Sequence, residues 1–281
     1  MDLHKTESAE AFAQYKDFVN EETISHEDGV GHGTNALRIL QQVYPDAEVF
    51  VGRVFEMAIA SDSTAELMTK FPAIRHATET WKVDIIIMPS GFPRHNDDME
   101  MAIEDANRAR TLVFSAASNA GNLGGIKFPA SLYRHNKVLC MFATNAEARS
   151  LPHFNPTPLP KSPHNFAILG EGIALKNQSP LSGTSFSTVV GAALAGRIID
   201  FSRHPDTRNR MRGLNHIKKV VGMSSVFQRM AVKDGDYDCI CPWRILPDLD
   251  HGDLVDRKNR AKVRELLCDS ISMALEETYK N

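Results

Sequence analysis

The sequence predicts an α/β domain: a doubly wound, mostly parallel sheet with helices on both faces, in three layers. Two observations carry this. Short β-rich runs recur between residues 47 and 145, and the stretches around them place apolar residues at helical spacing. The middle runs are almost wholly apolar, as strands covered on both faces must be, so the sheet reads as parallel and buried. A chain of 281 residues with 42% hydrophobic content is long enough to bury such a core.

The expected strands are "AEVFVGRVF" (47–55), "VDIIIMPS" (83–90), "TLVFSAAS" (111–118) and "KVLCMFATN" (137–145). Ala36, Leu37, Leu40 and Val43 mark a first amphipathic helix, Ile74, Ala77 and Trp81 a second, and Met101, Ala102, Ala106 and Ala109 a third. Pro72 limits the second towards its N-terminus, because proline cannot continue a helix backwards. Strands alternating with helices in this way imply right-handed crossovers. "SLPHFNPTPLPKSPHNF" (150–166) holds five prolines and reads as an ordered surface excursion. "SGTSFSTVVGAALAGRIIDF" (182–201) begins in a small-residue turn and continues as a helix rich in Ala and Gly, suited to the centre of a domain. Asp253 to Tyr279 reads as a charged amphipathic helix. The organisation expected is one domain over 1–247 followed by a helical segment over 248–281, without internal repeats.

Composition narrows the function. A net charge of -3 gives no electrostatic reason to expect nucleic acid or an acidic membrane as partner, and the locally basic "RHPDTRNRMRGLNHIKK" (203–219) reads as solvated surface. The N-terminal "MDLHKTESAEAFAQYKDFV" lacks the apolar core of a signal peptide, and no run of ~18 apolar residues could span a bilayer. A cytoplasmic chain is expected. Cys140, Cys239, Cys241 and Cys268 are too scattered for a disulfide framework, and one Cys-x-Cys lacks the second ligand pair of a structural zinc site. Reduced, structural thiols are expected, with no cofactor, no metal and no calcium loop.

Three stretches carry chemistry: "GHGT" with His32, "SAASNAGN" with Asn119 and "SGTSFST" with Ser185. Each falls at a strand end or a helix start, where α/β sheets bind ligands. Taken singly, His32 is an ordinary surface or structural histidine, Ser185 a helix N-cap and Asn119 a turn residue. Taken together and in this order, they converge on one site.

The combination resembles the subtilisin-like serine peptidases. "GHGTNALRIL" is similar to that family's histidine motif, "FSAASNAGN" to its oxyanion asparagine segment and "LSGTSFSTVVGAALAG" to its serine motif; "IIIMPSGFP" resembles the strand that lines its substrate channel. The resemblance spans roughly residues 17–200 and is nearest to the fungal intracellular branch, where "KDFV" and "CPWRIL" have counterparts.

The resemblance implies hydrolysis of peptide bonds in a protein or peptide substrate. Ser185 would be the nucleophile and His32 the base that takes its proton and returns it to the leaving amine. Asn119 and the Ser185 N–H would hold the developing oxyanion. Ser90, Gly91, Ala117 and Ser118 would wall a cleft in which an extended peptide pairs with strand edges. Gly31 and Gly33 would let the backbone turn sharply beside the imidazole.

The chain also departs from the family pattern. Phe186, Ser187 and Val189 stand where the serine motif usually has small residues and a proline, and Pro89-Ser90-Gly91 replaces a commoner Ser-Leu-Gly. Asp2, Asp17 and Asp28 are the only aspartates ahead of His32, and none ends an apolar strand in an Asp-Ser/Thr-Gly turn, as the triad's aspartate does. The expectation is that the sequence starts just after that strand. Without it, the rival reading is a peptide-binding module of the same fold. An ester hydrolase fits less well, because its Gly-x-Ser-x-Gly elbow would need glycine where Ser187 stands.

Overall fold

The computed structural model describes residues 12–19, 28–55, 73–245 and 256–278. All four expected strands form inside the expected runs: β2 (Phe50–Arg53), β3 (Ile85–Met88), β4 (Leu112–Ala116) and β5 (Leu139–Thr144). Four more join them. β1 (Gln14–Asp17) precedes the first helix, and β6 (Phe166–Leu169), β7 (Ala231–Asp234) and β8 (Tyr237–Ile240) follow β5. The main helices are α1 (His32–Val43), the short α2 over 73–80 with its π-type second half, α3 (Asp97–Arg108), α4 (Thr184–Arg203), α5 (Val220–Met230) and α6 (Arg257–Glu277).

The main sheet has six strands in the order β3-β4-β5-β6-β8-β7, parallel except for the β7–β8 hairpin. Strand alternation sorts its side chains into two layers of core. Leu112, Phe114, Leu139, Met141, Phe166 and Ile168 point to α4, α5 and α6. Val113, Cys140, Phe142 and Ala167 point the other way, towards Ile74 of α2 and Met99, Ala102, Ile103 and Ala106 of α3. Helices on both faces of a parallel sheet make the three-layer α/β architecture that the alternation predicts.

Local chemistry explains the boundaries. Asn96 caps α3 by accepting the Met99 N–H at 2.8 Å, and Asp97, Asp98 and Glu100 place negative charge in its first turn. The face of α3 turned inward differs from expectation: Met101 is 49% exposed and Met99 is buried. The proline-rich excursion is held to the sheet by Asn155, whose side chain bonds both the N–H and the C=O of Ala143 at 2.8 Å. All four cysteines are buried and unpaired, and burial pushes the Cys239 thiol up to about 12. No described helix is long and apolar enough to cross a membrane. Pro72 and Asp2 lie outside the described residues.

β1 and β2 form a separate two-stranded parallel sheet. β2 runs beside β3 in the same direction: the Phe50 ring lies 5.4 Å from Trp81, just before β3, and the Phe55 ring stacks at 6.1 Å on Phe92, just after it. Among the described residues no ladder joins them. Ile85, Ile86 and Ile87 are accordingly half-buried, whereas every residue of β4 and β5 is buried. The apolar pattern ahead of His32 gives no sign of β1, because Gln14, Tyr15 and Lys16 form an outer strand with little apolar surface to hide.

Candidate active site

The histidine loop is built around one carboxylate. Gly31 takes a φ of 74°, a left-handed conformation open to glycine, and turns the chain so that His32 becomes the first residue of α1. Asp28 holds the turn. Its Oδ1 accepts the Val30 and Gly31 N–H groups at 3.2 and 2.8 Å, and its Oδ2 accepts the Thr34 N–H and hydroxyl at 2.7 and 2.8 Å. Burial pushes this carboxyl up, but the hydrogen bonds outweigh it and keep the group below its ordinary value. Asp28 thereby satisfies one of the free amides of the α1 start, that of Thr34, and two in the turn before it.

His32 is half-buried, with its ring 5.2 Å from that of Phe186. Burial lowers its pKa below the ordinary 6.5, against a smaller upward pull from Asp28. The imidazole is therefore neutral at neutral pH, the form a proton acceptor needs. Phe186 and Val189 pack with Ile39 of α1 in one small cluster. The departures in the serine motif thus fill the seam between α1 and α4.

Ser185 is not a helix cap. α4 begins one residue earlier, after Gly183 at a φ of 141°, and the Ser185 hydroxyl donates to the Pro89 carbonyl at 2.7 Å. Asn119 serves the helix start instead: its Oδ1 accepts the Thr184 N–H at 2.7 Å and the Thr184 hydroxyl at 2.9 Å. This fixes the amide so that its NH₂ faces Gly183, where an added Cβ would lie 3.0 Å from Nδ2. The Ser185 N–H has no acceptor among the described residues. Two donors, one on Asn119 and one on Ser185, therefore stand at the entry of α4.

Three sequence-distant loops thus meet at the carboxyl ends of β3 and β4. His32 touches Phe186, Asn119 bonds Thr184, and Ser185 bonds Pro89, the neighbour of Ser90 and Gly91. Ala117 and Ser118 directly follow β4. The structure does not join His32 to Ser185 by a hydrogen bond, nor does any carboxylate among the described residues accept one from His32. Asp17 is buried against Arg53 at 2.7 Å and accepts the Val19 N–H at 2.8 Å. Sequence reasoning missed the capping work of Asp28; the Asp-to-Thr34 spacing ahead of the apolar pattern was its only trace.

Among the described residues, one surface set could ligate a cation: His95, Asp97 and Glu100, whose ligand atoms lie within 4.8 Å of one another. His95 Nε2 is 2.9 Å from Asp97 and 3.0 Å from Glu100, and Lys137 meets Glu100 and Glu104.

No protein-family model matches the chain. In sequence it is 25% identical over 224 residues to the subtilisin-like protease het-Q2 of Podospora anserina, a match covering 73% of this chain and 60% of that protein. In structure it is similar to the protease domain of PatA (TM-score 0.62, 16% identity, 82% of this chain and 84% of the other). It is also similar to MycP1 (TM-score 0.57, 18% identity, 81% and 82%) and to the prenylagaramide maturation protease PagA (TM-score 0.56, 19% identity, 81% and 82%). The chain spans about three fifths of the curated relative it matches. It has the subtilisin-like α/β fold, and its sequence resembles that of a subtilisin-like protease.

Proposed function

We propose that this chain is a serine-type endopeptidase acting through an acyl-enzyme on Ser185. The observation that supports it is the meeting of the three loops, with Ser185 and two N–H donors at the start of α4. A change of rotamer releases the Ser185 hydroxyl from Pro89. Its oxygen attacks the substrate carbonyl as its proton passes to the neutral imidazole of His32, and the carbonyl oxygen becomes an anion. Asn119 Nδ2 and the Ser185 N–H receive that charge, assisted by the positive end of α4. His32 then protonates the leaving amine, and water repeats the sequence on the ester. Substrate is a protein or peptide segment lying extended between Ser90–Gly91 and Ala117–Ser118.

A second reading has its own observation. No described carboxylate orients His32, and the resting Ser185 hydroxyl is held by a carbonyl, both compatible with a cleft that binds peptide without cutting it. Covalent labelling with a fluorophosphonate decides between them. Labelling of parent chain at Ser185, abolished in Ser185→Ala, supports the peptidase; an unlabelled, folded parent leaves the binding module.

A further inference from the structure

Between the two wall segments lies a charged residue that the chemistry above does not use. Lys127 donates its backbone N–H to the Ala117 carbonyl at 3.0 Å, and its neighbour Phe128 exchanges hydrogen bonds with Phe92 at 2.7 and 3.3 Å. Residues 127–128 therefore tie the strand end carrying Ala117 and Ser118 to the one carrying Ser90 and Gly91. The Lys127 stem lies against Gly91, where an added Cβ would be 2.5 Å from Lys127 Cβ and 3.2 Å from Cγ. Pro89, which accepts the Ser185 hydroxyl, is two residues away.

Lys127 is half-buried, and among the described residues no carboxylate pairs with its ammonium. The acids nearby are engaged elsewhere. Asp97 and Glu100 meet His95, whose ring stands 4.8 Å from that of Phe128, and Glu100 also meets Lys137. An ammonium carried on a stem packed against Gly91, and paired with no described carboxylate, favours a ligand that supplies the counter-charge.

The geometry points to Lys127 as a specificity residue, selecting peptides that place an Asp or Glu side chain between the two walls. The position selected is the residue whose carbonyl lies at Ser185, because the Lys127 stem and the Ser185 acceptor share the Pro89–Gly91 segment. This rests on reading those segments as peptide-binding walls, and not on turnover. Attraction to a carboxylate and repulsion of a second ammonium act together, so discrimination is widest between Glu and Lys.

The test uses three fluorescent peptides, identical except for Glu, Gln or Lys at one position, with binding to the parent chain read by anisotropy. The Glu peptide binds tighter than the Lys peptide by about tenfold or more. Lys127→Gln levels the three affinities, Lys127→Arg keeps the order, and Lys127→Glu inverts it; circular dichroism confirms that each variant is folded. Equal binding by the parent, an order that survives Lys127→Gln, or no binding of any peptide overturns the inference. Fluorophosphonate labelling of Ser185 is measured separately. A preserved Glu preference with unlabelled Ser185 retires the peptidase reading and leaves this one standing.

Discussion

Asn119 and Thr184 are joined by two hydrogen bonds, from the Thr184 N–H and from its hydroxyl, both to Asn119 Oδ1. One end of the asparagine thus holds the start of α4, and its NH₂ is the donor proposed for the oxyanion. Asn119→Ala removes both functions: we expect a stability loss of about 1–3 kcal/mol and a fall in kcat of about 10²–10³-fold. Asn119→Asp keeps the acceptor and removes the donor, so its thermal midpoint stays near the parent's while kcat falls as far. Full activity in the Asp variant would show that the NH₂ does not serve the oxyanion.

Ser185→Ala is expected to abolish turnover and labelling with a stability change within about 1 kcal/mol. The half-buried hydroxyl contributes one hydrogen bond, to Pro89, which water can replace. Turnover equal to the parent's would end the nucleophile assignment.

Acid should silence and destabilise the site in two stages. His32 is shifted below 6.5 by burial, so the native state binds fewer protons than the unfolded chain; its contribution is present above 6.5 and is lost as pH falls from there. Asp28 is shifted below 3.8, so its contribution is present above 3.8 and is lost below it. The rate of Ser185 labelling should have its acid midpoint below 6.5. Asp28→Asn should lower that midpoint further, since the lost charge favours protonated His32, and should also lower the thermal midpoint. A midpoint at or above 6.5 in the parent would contradict the burial argument.

Among the described residues no ladder joins β2 to β3. An extended apolar peptide, running parallel to both and ending in Asp, would complete one continuous sheet and bring a carboxylate to the carboxyl ends where His32 lies. Added in excess, it should raise the melting temperature in a concentration-dependent way and accelerate turnover, by up to about 10⁴-fold. The same peptide ending in Asn should stabilise without that acceleration. If neither peptide moves the melting temperature, the gap does not accept a strand.

What could be read from the sequence depended on where each signal resides. β3, β4 and β5 announce themselves because strands covered on both faces must be apolar throughout. β1 and β7 hide: "QYKD" and "AVKD" carry lysine and aspartate on outer strands, where only half of the pattern is under constraint. β6 follows directly on the proline-rich run, which masks its start. The proposed site residues His32, Asn119 and Ser185 stand out in the sequence because unusual residues sit among glycines and small residues at element ends. The Pro89 carbonyl and Lys127 do not, since a backbone acceptor has no residue code and Lys127 looks like any surface lysine until the fold brings Gly91 and Ala117 to either side of it.

The bond from Ser185 to Pro89 sets a population as well as a geometry. If Ser185 is the nucleophile proposed, a molecule whose hydroxyl is engaged there is not ready to react, and a net hydrogen bond of about 0.5–1.5 kcal/mol leaves the ready form outnumbered by about two- to twelvefold. Small reagents that ignore the cleft walls meet this handicap in full. On the peptidase proposed above, a peptide that binds beside Pro89 and competes for its carbonyl would shift the equilibrium as it arrives, releasing the hydroxyl most readily to the ligand that fits the cleft.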